Sequence, residues 1–248
     1  IIKIRLVSST TYLMSKIKFV YCFSKNLAVN EEQYTISLTL LTQSVKLLNK
    51  HSNCRIVTDD STYNDLKELS NDIEVIDSSN FRFLDDFKLS LIKDLKDNEI
   101  LVDPDILMFK KPMVDSDVDL IFDYKDSPRK YWYEEDIRKI EGTLLYDKIK
   151  SIKKLPFVPN IGFLKINNKT LLTDYIEQYE YYRKDIIERF DNPFLSFSIL
   201  LGQYLLGILL YEGNYSYLSI RSANTADVYE HLGGPQKFKM LMSNKSLI

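Results

Sequence analysis

The chain has few of the residues that build a disulfide framework, a cysteine-rich metal site or a nucleic-acid surface. Its 248 residues include two cysteines and two histidines, and 33 basic side chains nearly balance 35 acidic ones. Cys22 and Cys54 lie in apolar, strand-like runs without metal-ligand spacing. We therefore expect buried free thiols and a cytoplasmic protein in a reducing compartment. The balanced charge excludes a broad electrostatic surface for nucleic acid.

The sequence also lacks a clean membrane-spanning run. Residues 192–211 carry no charge, but they include a proline, a glutamine, two serines and two glycines, and no basic flank. We expect a helix in the centre of a domain and no transmembrane span, while membrane association by another route stays open. Residues 1–13 do not form a secretory signal, because Lys3 and Arg5 interrupt their apolar run.

What the sequence does have is an alternation of strands and helices. Strand patterns occur at 16–23, 54–58, 73–76, 99–102, 119–124, 157–166 and 217–220, and helical patterns at 31–48, 63–69, 84–95, 172–186 and 196–210. This order predicts an α/β fold whose mixed, mostly parallel sheet is flanked by helices. We expect a single domain over residues 16–248, preceded at 1–15 by an N-terminal extension or an extra strand.

The most informative motif follows the strand at 99–102. Asp103-Pro104-Asp105 has two acids two residues apart, so an extended chain would place both carboxylates on one side. Burying them uncompensated is costly, and Mn²⁺ or Mg²⁺ with oxygen ligands would offset that cost. Ligands of parallel sheets bind beyond the carboxyl ends of strands, where Ser24 and Asp59 are also predicted to lie. The alternative is a simple turn after a strand.

A second motif lies near the C-terminus, at residues 231–237. His231 is followed by Gly233, Gly234 and then Lys237. An imidazole can complete a metal site that two carboxylates begin, glycines let a backbone approach a phosphate, and a lysine can neutralise a diphosphate. The alternative is a helix that ends at a Gly-Gly-Pro stop.

Together the two motifs resemble those of retaining GT-A glycosyltransferases, especially the glycogenin-like and bacterial galactosyltransferase-like group (family 8). That group has an Asp-x-Asp after an apolar strand and a C-terminal His-x-x-Gly-x-x-Lys, matched here by Asp103–Asp105 and His231–Lys237. Its Asn-x-Gly, on a strand facing the acceptor and the sugar, is matched by Asn160-Ile161-Gly162. A departure is Gly202 before Gln203, where the family often has an acidic residue.

The resemblance implies a Rossmann-like GT-A fold and an enzyme that moves a sugar from a nucleotide-diphosphate sugar to a hydroxyl acceptor with retention. A UDP-sugar donor and a glycan acceptor are favoured. The implied metal is Mn²⁺ or Mg²⁺, held by Asp103, Asp105 and His231. Donor-binding residues would be Asp103, Gly233, Gly234, Lys237, Ser24 and Lys88, and polar contacts near the anomeric carbon would be Gln203 and Asn160.

Several assignments have alternatives. Lys88 either reaches the donor or lies on a solvated helix face, and the aromatic run 131–133 is either a platform for an acceptor sugar or core packing. A nucleotidyltransferase of related fold is a second function, although residues 24–30 contain no glycine for a triphosphate-binding loop. A non-catalytic nucleotide-sugar-binding module is a third, and the intact motif residues argue against it.

Overall fold

The computed structural model describes residues 17–28, 30–114, 117–190 and 195–232. The strands are β1 (Lys18–Cys22), β2 (Cys54–Thr58), β3 (Ile73–Val75), β4 (Glu99–Val102), β5 (Ile106–Met108), β6 (Leu120–Asp126), β7 (Val158–Ile166), β8 (Tyr217–Ser219) and β9 (Tyr229–His231). The helices are α1 (Glu31–Leu48), α2 (Asp60–Leu66), α3 (Leu84–Ile92), α4 (Tyr131–Lys139), α5 (Leu144–Ser151), α6 (Lys169–Arg189), α7 (Leu195–Ile199), α8 (Leu205–Gly213) and α9 (Ile220–Ala223).

Two short irregular helices complete the described elements: a 3₁₀ turn at Lys25–Leu27 and a π-helical turn at Leu200–Tyr204, between α7 and α8. The predicted N-terminal extension at 1–15 lies outside the described residues. The motif residues Gly233, Gly234 and Lys237 lie outside them as well.

The main sheet has the strand order β3-β2-β1-β4-β7-β6-β8. Neighbouring strands are parallel except at β7, which runs antiparallel to both β4 and β6. The prediction of an α/β fold with a mixed, mostly parallel sheet is confirmed. Since β1 and β4 lie side by side and parallel, the loops that follow them meet at one edge of the sheet.

Both faces of the sheet are covered by helices, as the alternation along β1 requires. Val20 and Cys22 pack into a cluster with apolar residues of α3, α6 and α8. Phe19 and Tyr21 point the other way and pack with α1. Cys22 and the second cysteine, Cys54, are buried and free, as predicted.

The apolar stretch predicted as a central helix forms α7, the π-helical turn and α8 in the described part of its length. Its side chains belong to the larger core cluster, where they pack with α6 and with β7. Among the described residues, no helix is both long enough and apolar enough to cross a membrane.

A second, two-stranded sheet is formed by β5 and β9, which pair antiparallel with Ile106 opposite His231. Neither of these three-residue strands was predicted, and α5 was not predicted either. The β5–β9 pair positions the candidate site, because it brings His231, the first residue of the C-terminal motif, next to the aspartates after β4.

Candidate metal and nucleotide site

The two sequence motifs meet in the structure. Asp103 follows β4, Asp105 precedes β5, and His231 is the last residue of β9. One potential ligand atom from each of these three side chains lies within 4.8 Å of the other two. The structure therefore brings together all three residues that the sequence predicts as metal ligands.

The geometry of the Asp103-Pro104-Asp105 segment differs from the predicted extended chain. The backbone N–H of Ile106 donates to the Asp103 carbonyl at 3.2 Å, which closes a β-turn. Proline at the second position fixes the φ angle that such a turn needs. The prediction of an extended segment is wrong, yet the turn still places both carboxylates beside His231.

Gly162 on β7 makes this arrangement sterically feasible. A Cβ atom at this position would lie 2.9 Å from Cε1 of His231 and 3.0 Å from Oδ2 of Asp123. The Gly162 carbonyl also accepts a hydrogen bond from the Asp103 backbone N–H at 2.8 Å. The glycine of the Asn-x-Gly motif thus holds the backbone of one candidate ligand and leaves space for another.

Asn160 lies on the same strand and makes two hydrogen bonds through its side chain. Its Oδ1 accepts from the Gly162 N–H at 3.0 Å, and its Nδ2 donates to the Tyr124 hydroxyl at 3.2 Å. The Tyr124 ring centroid lies 5.9 Å from that of His231. Asn160 therefore supports the strand beside the metal cluster, and its predicted contact with a sugar stays a prediction.

The ring of His231 is held in place by Asp123, a residue that was not predicted from the sequence. Nδ1 of His231 lies 2.5 Å from Oδ2 of Asp123, which is fully buried and also accepts from the Tyr229 hydroxyl. Nε2 faces Asp105, with 3.6 Å to Oδ1. Burial alone would lower the pKa of His231, but hydrogen bonds to Asp105 and Asp123 outweigh it and raise the pKa to about 10. The only sequence signal for Asp123 is an acid inside the apolar strand β6.

Lys88 of α3 approaches the cluster from the other side. Its Nζ lies 2.6 Å from Oδ1 of Asp103 and 3.8 Å from Oδ1 of Asp85, and its side chain is 5% exposed. Burial lowers the pKa of Lys88, but the charges of Asp103 and Asp85 outweigh this and raise it above its usual value. The alternative of a solvated lysine is wrong, because Lys88 is a buried, charged group at the site.

These side chains form one end of a cavity of about 250 Å³. The charged end is lined by Asp85, Lys88, Asp103, Asp105 and Gln203. The lining also has an apolar part, called here the apolar end, formed by Leu27 and by the stacked rings of Phe23 and Tyr34. Such a cavity offers a dry surface to one part of a ligand and charged groups to the other.

Ser24 also lines the cavity, but its hydroxyl is already engaged. It donates to Asp59, which accepts further hydrogen bonds from Ser61, Ser78 and Thr62. Burial raises the pKa of Asp59, but these hydrogen bonds outweigh burial and lower it. Asp59 therefore closes a network of hydroxyl groups at the end of β2, and the predicted donor contact of Ser24 stays a prediction.

Gln203 enters the cavity from the π-helical turn, where an extra residue per turn displaces a side chain from the regular α-helical path. The Tyr133 hydroxyl donates to its Oε1 at 3.0 Å. Tyr133 is 1% exposed, whereas Trp132 is 40% and Tyr131 71% exposed. The aromatic run is thus divided: one ring belongs to the core and orients Gln203, and two rings face solvent.

The comparisons with known proteins are weak. The sequence matches no protein-family profile and no curated protein sequence. Among solved structures, CTP:phosphocholine cytidylyltransferase from Streptococcus pneumoniae aligns with a TM-score of 0.48 and 9% identity, over 92% of this chain and 98% of that chain. The glycosyltransferase GlyE of Streptococcus pneumoniae TIGR4 aligns with a TM-score of 0.40 and 16% identity, over 84% of this chain but 46% of that chain. At these values neither similarity indicates a reaction or a substrate.

Proposed function

We propose that this protein is a metal-dependent glycosyltransferase. It moves a sugar from a nucleotide-diphosphate sugar, with UDP favoured, to a hydroxyl acceptor, with a glycan favoured and with retention at the anomeric carbon. The observation that carries the proposal is the cluster of Asp103, Asp105 and His231, whose two aspartates line a cavity that also has an apolar end.

The donor set fits a divalent cation. Among the described residues around the site, the four buried or half-buried carboxylates of Asp85, Asp103, Asp105 and Asp123 are offset by three cations: Lys88, His231 and Arg221, whose charge acts on Asp123. Two carboxylates with one imidazole suit Mn²⁺ better than Mg²⁺, which prefers oxygen ligands alone. When bound, such an ion would stabilise the negative charge on the leaving nucleoside diphosphate.

The protein side chains supply the remaining functions. Lys88, held charged beside Asp103, would neutralise a phosphate oxygen of the donor. Because the Tyr133 hydroxyl occupies the amide oxygen of Gln203, the amide nitrogen is the group that would donate to a sugar or an acceptor oxygen. The apolar end of the cavity would take the base, where Phe23 and Tyr34 stack at 5.6 Å between ring centroids.

The loop after β1 argues against a nucleotidyltransferase. Its described residues contain no glycine and form a 3₁₀ turn. Its lysine, Lys25, lies 3.1 Å from Glu31 and 4.8 Å from the ring centroid of Tyr34. A triphosphate would need a basic, glycine-rich loop here, with backbone N–H groups and a lysine directed at the phosphates.

The test is thermal unfolding with UDP, GDP, dTDP and CMP, each with and without Mn²⁺. We expect one diphosphate to stabilise the protein only with Mn²⁺, by about 2.7 kcal/mol at 100 times its Kd, which corresponds to roughly 5–10 °C. Asp105→Asn should lose this shift. The matched control is Asp94→Asn, an exposed aspartate that does not line the cavity, and it should keep the shift.

A second measurement separates the candidate functions. With the nucleotide that binds, we expect slow release of nucleoside diphosphate from its sugar conjugate, faster with an added glycan. Binding of CTP or another triphosphate without any diphosphate shift would favour a nucleotidyltransferase. No shift with any nucleotide would contradict both enzyme assignments.

A further inference from the structure

The charged end of the cavity contains a carboxylate that does not belong to the metal cluster. Asp85, in the first turn of α3, is 6% exposed and lines the cavity together with Lys88 and Gln203. Its backbone N–H donates to the Ser198 hydroxyl at 3.2 Å. Lys88 lies 3.8 Å from its carboxylate but much closer to Asp103, so this lysine neutralises Asp85 only in part.

The next residue, Asp86, is a carboxylate whose partners all belong to the fold. Asp86 is bound by Arg183, with 2.7 Å from Nε to Oδ1 and 2.9 Å from Nη2 to Oδ2, and by the Tyr179 hydroxyl at 3.0 Å. Its Oδ2 also accepts from the backbone N–H of Phe83 at 3.0 Å. Asp86 is thus fully occupied within the core and does not line the cavity, whereas its neighbour Asp85 does.

Gly202 provides the space for the Asp85 carboxylate. A Cβ atom at position 202 would lie 2.2 Å from Oδ2 and 2.8 Å from Cγ of Asp85, so the two side chains cannot coexist in this arrangement. The π-helical turn holds Gly202 in place, since the Tyr175 hydroxyl donates to its carbonyl at 3.0 Å. The family that the chain resembles often has an acidic residue before Gln203, where this chain has Gly202. The carboxylate beside this position comes instead from Asp85 of α3.

The chemistry of this position narrows the ligand. A carboxylate accepts hydrogen bonds and repels phosphate, so a neutral group with two neighbouring O–H donors suits it best. We propose that Asp85 binds hydroxyl groups of the transferred sugar, and that Gly202 is a glycine because the Asp85 carboxylate occupies the space of its side chain. The inference rests on the proposed function and adds a substrate class: neutral sugars are accepted and uronic acids are excluded by like charge.

The experiment compares two ligands that differ only in the sugar. Calorimetric titration with Mn²⁺ would use UDP against UDP-glucose and UDP-galactose, or GDP against GDP-mannose, according to the base found in the unfolding panel. We expect Asp85→Ala to weaken the sugar nucleotide about 10–100-fold, the range for a lost hydrogen bond to a charged group. Binding of the bare diphosphate should change less than about threefold, because Asp85 would not contact it.

Matched variants distinguish contact from folding. Asp86→Asn should lower the melting temperature but keep the ratio of the two affinities. Asp85→Ala combined with Gly202→Asp returns a carboxylate to the same space from the other helix and should recover part of the sugar-dependent affinity. UDP-glucuronate should bind the wild type more weakly than UDP-glucose and should lose this disadvantage in Asp85→Ala.

The failures are separable. If the wild type binds no nucleotide, the proposed function falls and this inference falls with it. If the wild type binds the diphosphate but Asp85→Ala weakens both ligands equally, or weakens neither, the proposed function stands and the sugar contact is overturned. A folded double variant without any recovery would overturn the role given to Gly202.

Discussion

Strand β4 has buried acids at both ends, and the two ends are neutralised differently. At its start, Glu99 is fully buried and lies 3.0 Å from Nη2 of Arg55, a residue of β2, which is separated from β4 by β1. Nη1 of Arg55 lies 2.7 Å from Glu74. At its end, Asp103 and Asp105 share their surroundings with two further carboxylates, Asp85 and Asp123, and with one lysine, one histidine and one arginine, Arg221, whose charge acts on Asp123. The first end has one arginine that neutralises the buried Glu99 and also pairs with the exposed Glu74, and the second end has a surplus of negative charge.

The difference in charge makes the end at Asp103 and Asp105 the candidate ligand-binding end of the strand. A buried carboxylate that an arginine of the fold neutralises needs no ligand to offset its charge. A group of carboxylates with too few cations is destabilising by itself, and a bound cation or a donor group removes the cost. The same strand therefore has a structural end and a candidate functional end.

The largest effect is expected for Arg55→Met. This change leaves Glu99 buried without its cation, and we expect a loss of about 3–5 kcal/mol in the free energy of unfolding, measured with urea. The double variant with Glu99→Leu should regain most of it. A loss below about 1 kcal/mol would contradict the interpretation that Arg55 neutralises the buried Glu99.

The next effect is a gain in stability at the other end. Burial raises the pKa of Asp85 to about 6 from 3.8, although Lys88 and a hydrogen bond with the Ser198 side chain lower it, and Asp103 and Asp86 add to the rise. The folded protein then loses stability as pH rises from about 4 to above 6, and the full cost at pH 8 is about 3 kcal/mol.

Asp85→Asn should therefore stabilise the protein at pH 8 by up to that amount and leave it nearly unchanged at pH 4. Thermal unfolding of both proteins across this pH range measures the difference. An equal change at both pH values, or a loss of stability at pH 8, would show that Asp85 is satisfied within the fold.

A smaller effect is expected where one carboxylate positions another group. Asp123→Asn keeps the shape at Nδ1 of His231 but removes the charge that orients the ring. We expect Mn²⁺ affinity, measured by calorimetry, to fall about 10–100-fold. Tyr229→Phe, which removes only a donor to Asp123, should have a weaker effect. Unchanged Mn²⁺ affinity in Asp123→Asn would separate His231 from the metal site.

The smallest effect is expected for Lys18→Ala. Lys18 is the first residue of β1 and lies opposite Glu99 in the sheet. Lys18 pairs with Asp72, but their side chains are 26% and 47% exposed. Water screens such a pair, so the free energy of unfolding should change by less than about 1 kcal/mol. A loss as large as that of Arg55→Met would mean that burial does not explain the strength of the first pair.

Local pattern was enough for the regular elements. The repeat of apolar residues predicted α1 over residues 31–48, and the β-favouring run predicted β2 over 54–58, with the bounds that the structure has. Both signals come from side chains within one element, which is the range over which periodicity acts. The type of chemistry was also readable, because Asp103, Asp105 and His231 carry it as residue types.

The details of the site were not readable in this way. The pairing of β5 with β9 joins residues distant in sequence through three-residue strands, and strands this short give no local signal of their partner. Asp123 looked like an ordinary member of a strand, and for Lys88 the sequence left open whether it reaches the donor or lies on a solvated helix face. Only packing shows that both are buried beside the candidate ligands.

The sequence by itself determined the α/β class, the main helices and the identity of the three candidate metal ligands, because these depend on local periodicity and on residue chemistry. Tertiary structure alone decided that Gly162 makes room for His231 and that Asp85 occupies the space beside Gly202. Such close approaches depend on how two distant segments are packed against each other, and the identity of either residue alone does not specify its partner.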